Sequence, residues 1–179
     1  MHLILDMDKT LIWGTSWGDP IEPRPFLQPF LRYCFQNFET VSIWTAATRD
    51  WFATANVSVF CPILTALNAE RESEEPYSFF FVYTKKHTDF NQVKNLEKVW
   101  TNEEMPHTRE NTLTIDDKQY SYEKNPDHVV LVDPWCGLEH EKEDDELVHL
   151  MDYLTLLQEK QSQGDDIFSM NKTDWKTKM

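Results

Sequence analysis

The stretch His2-Leu3-Ile4-Leu5-Asp6-Met7-Asp8-Lys9-Thr10 decides how the rest of the chain is organised. Its first residues are mostly apolar and predict a short buried strand. Side chains two apart on an extended segment lie on one face. As the strand ends and the chain turns, Asp6, Asp8 and Thr10 converge on one small volume. Two carboxylates held that close repel unless a cation or a shared proton offsets the repulsion. The pattern therefore predicts a divalent-metal site with a nucleophilic carboxylate and a neighbouring acid/base. The competing reading is a strand end followed by a polar turn, since Asp and Thr are ordinary turn residues.

Composition narrows the setting. A chain of 179 residues is expected to form one domain with a sizeable core. The net charge of -14 and pI near 4.7 argue against broad nucleic-acid or anionic-membrane binding. Part of that charge is local, in the acidic stretch 139–146. Cys34, Cys61 and Cys136 are odd in number and lack C-x-x-C spacing, which suggests reduced thiols in an intracellular protein, cytoplasmic or nuclear. A basic, apolar leader is not expected at the N-terminus, and no segment is expected to approach the ~20 apolar residues of a membrane span.

After Thr10, residues 13–25 hold two glycines and three prolines and predict neither a helix nor a central strand. Trp13 and Trp17 are expected to pack over the domain edge, with contact to substrate the lesser expectation. Residues 26–38 carry a helical apolar stripe, with Pro25 suited to its first turn. A strand over 41–44 ends at Thr45, followed by small residues and a helix over 49–56. That corner suits phosphate, offering a hydroxyl plus helix N-terminal amides, or is a plain N-cap by Thr45 or Thr48. Residues 61–76 resist placement. The apolar run 79–83 predicts a buried strand, and 91–100 a helix with Lys94 near its start. Strands over 113–115 and 128–132 follow, the first ending in Asp116-Asp117. A helix over 144–159 precedes a polar tail. Strands separated by helical segments predict a parallel sheet covered on both faces. In such sheets sites form outside the strands' carboxyl ends, where Asp6, Asp8, Thr10, Thr45, Asp116 and Asp117 all fall.

Read in order, LILDMDKTLI, RPFLQPFL, VSIWTAATRDW, VKNL, TIDDKQYSYEKNP and DPW resemble the haloacid-dehalogenase-like (HAD) superfamily. Within it they resemble the RNA-polymerase-II C-terminal-domain phosphatases and the small C-terminal-domain phosphatases, across residues 2 to 157. The resemblance implies an α/β, Rossmann-like core with a central parallel sheet and no large cap domain, over residues 1–160, and a flexible tail over 161–179. It implies a Mg2+-dependent protein serine/threonine phosphatase working through an aspartyl-phosphate. Asp6 would be the nucleophile and Asp8 the proton donor and acceptor, oriented by Thr10. Thr45 would bind the phosphoryl oxygens and Lys94 neutralise them. Asp6, the Asp8 carbonyl and Asp117 would hold Mg2+, with Asp116 positioning the lysine or a metal-bound water.

Only 34 positions lie between Thr10 and Thr45, too few for a cap or for the insertion that shapes the small phosphatases' pocket. An exposed site suits a phosphate on a flexible polypeptide, with a pocket expected from Trp13, Trp17 and residues 62–77. The partner expected is a phosphorylated protein or peptide, without nucleic acid or membrane. Three alternatives were weighed. A phosphatase of nucleotide or nucleic-acid termini is disfavoured by the acidic charge. A non-catalytic binding module is disfavoured because every expected catalytic side chain is present. A phospho-accepting receiver is disfavoured by Asp8, a second carboxylate it does not need.

Overall fold

The computed structural model describes residues 1–15, 20–72, 75–173 and 175–178. At its centre is β1 (His2–Leu5), every residue of which is buried. The short strands β2 (Ile12–Trp13) and β3 (Glu22–Pro23) pair antiparallel as a separate ribbon inside the predicted loop. Helix α1 (Leu27–Asn37) leads to β4 (Thr40–Trp44), and a further strand, β5 (Val82–Tyr83), lies beside it. Strands β6 (Thr112–Asp116) and β7 (Val129–Leu131) complete a sheet of order β5-β4-β1-β6-β7, parallel throughout. The parallel α/β fold expected from the sequence is what forms.

Alternation along β1 builds two cores. Leu3 and Leu5 face a large cluster with α1 residues such as Phe30 and Leu31, and with Leu150 and Leu154 of the last helix, α5 as numbered below. Ile4 faces the other side, with Trp44, Leu96, Val99 and Tyr122. A side-chain period of 2 thus buries β1 on both faces, as a central parallel strand requires.

Several local expectations are corrected. The first helix begins after Pro25, because Phe26 adopts φ +62° and is exposed instead of joining the apolar stripe. The unplaced segment is helical over Cys61–Ala69. Helix α2 (Arg49–Ala55) continues through a π-turn, Asn56–Phe60, into α3 (Cys61–Ala69). Pro62 explains the turn: it lacks an N–H and its ring crowds the preceding turn's carbonyls, which a wider turn relieves. The Cys61 N–H accordingly reaches back to the Asn56 carbonyl. The continuous helix Arg49–Ala69 is long and apolar enough to cross a membrane by length and composition, against the expectation that no segment is. Here Ala55, Val59, Phe60 and Leu67 are buried in the large core. The run 79–83 is an edge strand reduced to two half-buried residues, not a buried one. The helix expected over 91–100 is confined to α4 (Glu97–Trp100), because Asn91 and Gln92 both have left-handed backbones. Past α5 (Glu146–Ser162), Ile167 and Trp175 insert into the large core. Among the described residues all three cysteines are free thiols.

Candidate active site

The site starts where β1 stops. The Asp6 N–H still donates to the Ile115 carbonyl at 2.8 Å, so Asp6 sits in register with the end of β6. The chain then folds back on itself. Leu11 and Ile12 both donate to the Met7 carbonyl, and Lys9 takes φ +66° at the apex. Trp135, arriving after β7, donates its N–H to the Lys9 carbonyl at 2.7 Å and pins the turn. Thr10 donates to Asp6 Oδ2 at 3.2 Å. The threonine expected to orient Asp8 therefore holds Asp6.

Asp8 is oriented from the neighbouring strand. Thr45, just past β4, donates its hydroxyl to Asp8 Oδ2 at 3.1 Å. The indole Nε1–H of Trp51, in the first turns of α2, donates to Asp8 Oδ1 at 2.6 Å. Thr48 supplies the helix cap, accepting the Trp51 N–H, while the Thr45 hydroxyl also accepts the Ala47 N–H at 2.9 Å. Burial raises the Asp8 pKa, Trp51 pulls it back, and Asp6 pushes it up again. Sequence reasoning missed Trp51. Its helical spacing from Thr48 is legible, but its contact with a residue 43 positions away is not.

Lys94 is not the solvated helix lysine that its local sequence suggests. It precedes α4 on an irregular segment, its side chain 1% exposed, and its Nζ lies 2.5 Å from both Asp6 Oδ1 and Asp116 Oδ2. Burial works against its charge, but Asp116 and Asp6 outweigh that and hold its pKa above the ordinary range. The TIDDKQYSYEKNP segment builds the seat. Ser121 accepts the Lys94 N–H at 2.6 Å, the Tyr122 ring lies 5.6 Å from Nζ, and Asn125 accepts the Leu96 N–H. Arg24, from the RPF stretch, is buried and forms a two-armed ion pair with Asp144 while donating to the Thr10 carbonyl. It ties the turn after Asp8 to the approach to α5.

Asp6, Asp116 and Asp117 bring one carboxylate oxygen each within 4.8 Å of one another. Burial, then the charge of Asp6, pushes the pKa values of Asp116 and Asp117 upward. Asp117 Oδ1 is buried without a hydrogen-bond partner among the described residues. An all-oxygen donor set with an unsatisfied buried oxygen fits a hard divalent cation. The Asp8 side chain is taken up by Thr45 and Trp51 and stands outside this cluster.

The expected pocket is elsewhere. Residues 76 and 77 line a cavity with Glu39, Thr40 and Val41, at the start of β4 and away from Thr45. Trp13 packs on Gly137, where a Cβ would lie 2.6 Å from the indole; Trp17 lies outside the described residues. The space next to the carboxylates is an open groove of about 620 Å³ lined by Asp117, Lys118, Gln119, Tyr120, Glu123 and Pro126.

Residues 1–167 match the family of NLI interacting factor-like phosphatases. The chain belongs to that family. It is accordingly a phosphatase of the HAD type. It is 33% identical to the putative CTD phosphatase-like protein 355R of Invertebrate iridescent virus 6, over 86% of this chain and 96% of that protein. It is 25% identical to the ubiquitin-like domain-containing CTD phosphatase 1 of Xenopus laevis, over 97% of this chain but 53% of that protein. A third relative is the mitochondrial import inner membrane translocase subunit TIM50 of Gibberella zeae, 28% identical over 85% of this chain and 26% of that subunit. Two solved structures of the RNA polymerase II CTD phosphatase Fcp1, one of them the fission yeast protein bound to beryllium fluoride, share the fold. Their TM-scores are 0.50 and 0.51 at 16% and 17% identity, over 97% of this chain and 58% and 55% of theirs.

Proposed function

We propose that this chain hydrolyses phosphoserine or phosphothreonine on a protein or peptide, such as a polymerase-tail-like segment, through a phosphorylated Asp6. The observation that carries the reading is the unequal setting of the two aspartates. Asp6 is tied to Lys94 and Thr10, beside Asp116 and Asp117, where a lysine and the oxygen donors for a cation meet. Asp8 is held apart by Thr45 and Trp51 with a raised pKa. A carboxylate that attacks phosphate needs the substrate's charge neutralised. A carboxylate that protonates a leaving oxygen must keep its own proton near neutral pH.

Asp6 Oδ attacks phosphorus while the bond to the serine or threonine oxygen breaks. Asp8 gives its proton to that oxygen and then takes one from the water that cleaves the aspartyl-phosphate. Lys94 offsets charge on the transferring group, and Thr45, turned from Asp8, would with the amides at the start of α2 bind the phosphoryl oxygens. Mg2+ suits the donor set of Asp6 and Asp117, with the Asp8 carbonyl as a third oxygen and Asp116 steadying Lys94. When bound it would neutralise phosphate charge and orient the group in line. With no cap over the site among the described residues, a phosphate on a flexible chain can enter directly.

The test is phosphate release from a phosphoserine peptide and from p-nitrophenyl phosphate, each with and without Mg2+. Turnover of both that disappears with chelator supports the reading. Metal-independent turnover, or full activity in Asp6→Asn, overturns it.

A further inference from the structure

In a chain with 31 acidic and 17 basic residues, acid partners are plentiful. Away from the site most cations find them: Arg32 pairs with Glu70, Lys98 and Lys124 with Asp89, Lys160 with Asp165, and Lys176 with Asp133 and Glu146, whereas Arg71 lies on the Tyr77 ring. Around the mouth they do not. Among the described residues no ion pair engages Lys9, Arg49, Lys85, Lys86 or Lys118.

These five follow the strand ends that build the site. Lys9 stands between Asp8 and Thr10 at the apex of the turn. Arg49 is two residues before Trp51, and Asp50 beside it forms no ion pair. Lys85 donates its N–H to the Ala47 carbonyl at 2.7 Å, two residues beyond Thr45, and Lys86 is exposed next to it. Lys118 lines the open groove with Tyr120, which is 52% exposed. In the reading above Lys94 and the cation suited to Asp6 and Asp117 offset the charge of the transferred phosphate, so the exposed or half-exposed collar exceeds what one phosphate needs. Unpaired cations are what an anionic ligand can engage without first breaking an ion pair.

On the basis of the phosphatase reading above, we infer that this collar recognises anionic residues flanking the target, so that the preferred substrate is a phosphopeptide rich in acidic or further phosphorylated side chains. Lys85 and Lys86 meet the flank on the Thr45 side, and Lys118 meets it along the groove. A peptide is favoured over nucleic acid because the collar holds few cations within a molecule of net charge -14, too few to release many counterions from a polyanion.

The test uses the full chain and four ligands. Three are phosphoserine peptides of equal length, one with neutral flanks, one with Asp and Glu flanks and one carrying a second phosphoserine. The fourth is a single-stranded oligonucleotide as competitor. The expected kcat/KM is roughly tenfold higher for either anionic flank than for the neutral one at low ionic strength, falling to within about twofold at high salt. The Lys85→Gln/Lys86→Gln variant is expected to cut that ratio to about threefold or less, while Arg32→Gln/Lys160→Gln, an equal charge change elsewhere, leaves it intact. Equal rates on neutral and anionic flanks, or an unaltered ratio in the Lys85/Lys86 variant, overturn the inference while the phosphatase reading stands. Competition by the oligonucleotide as strong as by the acidic peptide overturns it in favour of nucleic acid. No turnover of any peptide overturns the phosphatase reading itself.

Discussion

The two ends of one sheet use polar residues in opposite ways. The central strands β4, β1 and β6 each begin polar, with Thr40, His2 and Thr112 in register, and each is followed or ended by a polar residue, Thr45, Asp6 and Asp116. At the starting end the polar groups largely satisfy one another, with His107 Nδ1 the exception among the described residues. His2 Nδ1 lies 3.0 Å from Thr40 Oγ1, His107 Nε2 lies 3.4 Å from the same hydroxyl, and Trp100 donates to Thr112. The His2 and His107 rings lie 4.7 Å apart, shielded by Phe80 and Phe81. At the carboxyl end, Asp6, Asp116 and Asp117 share a small volume with the buried Lys94, and Asp8 is held apart by Thr45 and Trp51. Polarity at strand ends is common to both. What marks a site is like charge held together without enough internal partners, which stores binding capacity for something from outside.

The comparison can be broken by substitution. Asp6→Asn keeps the shape of the site but removes the attacking charge. It is expected to lower turnover of every phosphate ester by at least about 10³-fold, a loss of the size seen when covalent nucleophiles are removed, as measured by phosphate release. Asp8→Asn is expected to cost roughly 10² to 10⁴-fold on a phosphoserine peptide, the usual range for a general acid. The loss should be much smaller for p-nitrophenyl phosphate, whose leaving group needs little protonation. Equal losses on both substrates would remove Asp8 from that role.

Trp51→Phe sharpens the same end with a smaller effect. The ring still packs, but Asp8 Oδ1 loses its donor, so the expected loss is about tenfold. It should again be larger on phosphoserine than on p-nitrophenyl phosphate, and partly restored in Trp51→Tyr. A uniform loss, or none, would show that the indole only fills space.

The smallest effect is expected at the other end of the sheet, in stability. Burial, then the nearby His2, pulls the pKa of His107 down from 6.5 to about 4. As pH falls below about 6.5 the unfolded chain takes up this proton before the folded one does. Stability is therefore lost between about 6.5 and 4 and levels off below. The shift corresponds to at most about 3 kcal/mol. In His107→Gln the fall in Tm over that interval should be shallower than in the parent chain, and parallel curves would sink the assignment.

How much was legible follows from sequence distance. Strands β1, β4 and β6 were legible because their apolar runs end in punctuating polar residues. The carboxylates at 6, 8, 116 and 117 were legible because their spacing is local. Lys94 looked like a surface residue, since nothing within its own turn signals burial; only the family resemblance singled it out. Residues 61–76 were illegible because Pro62 suggests a break, and the π-turn that absorbs it has no compositional signature. Thr10 was assigned to Asp8 on the family resemblance, but the left-handed backbone at Lys9 turns the chain and the hydroxyl donates to Asp6.

By itself the sequence determined the central strands β1, β4, β6 and β7 with helices α1 and α5, the acidic pattern after β1 and the groups proposed here to do chemistry. These depend on side-chain period and on residue type, which any local segment displays. Only the tertiary structure decided which group serves which. Trp51 reaches Asp8 across 43 positions and Lys94 reaches Asp6 across 88. It also decided which cations stay unpaired at the mouth. Such pairings arise when packing closes long loops around a common core, and no spacing within one segment encodes them.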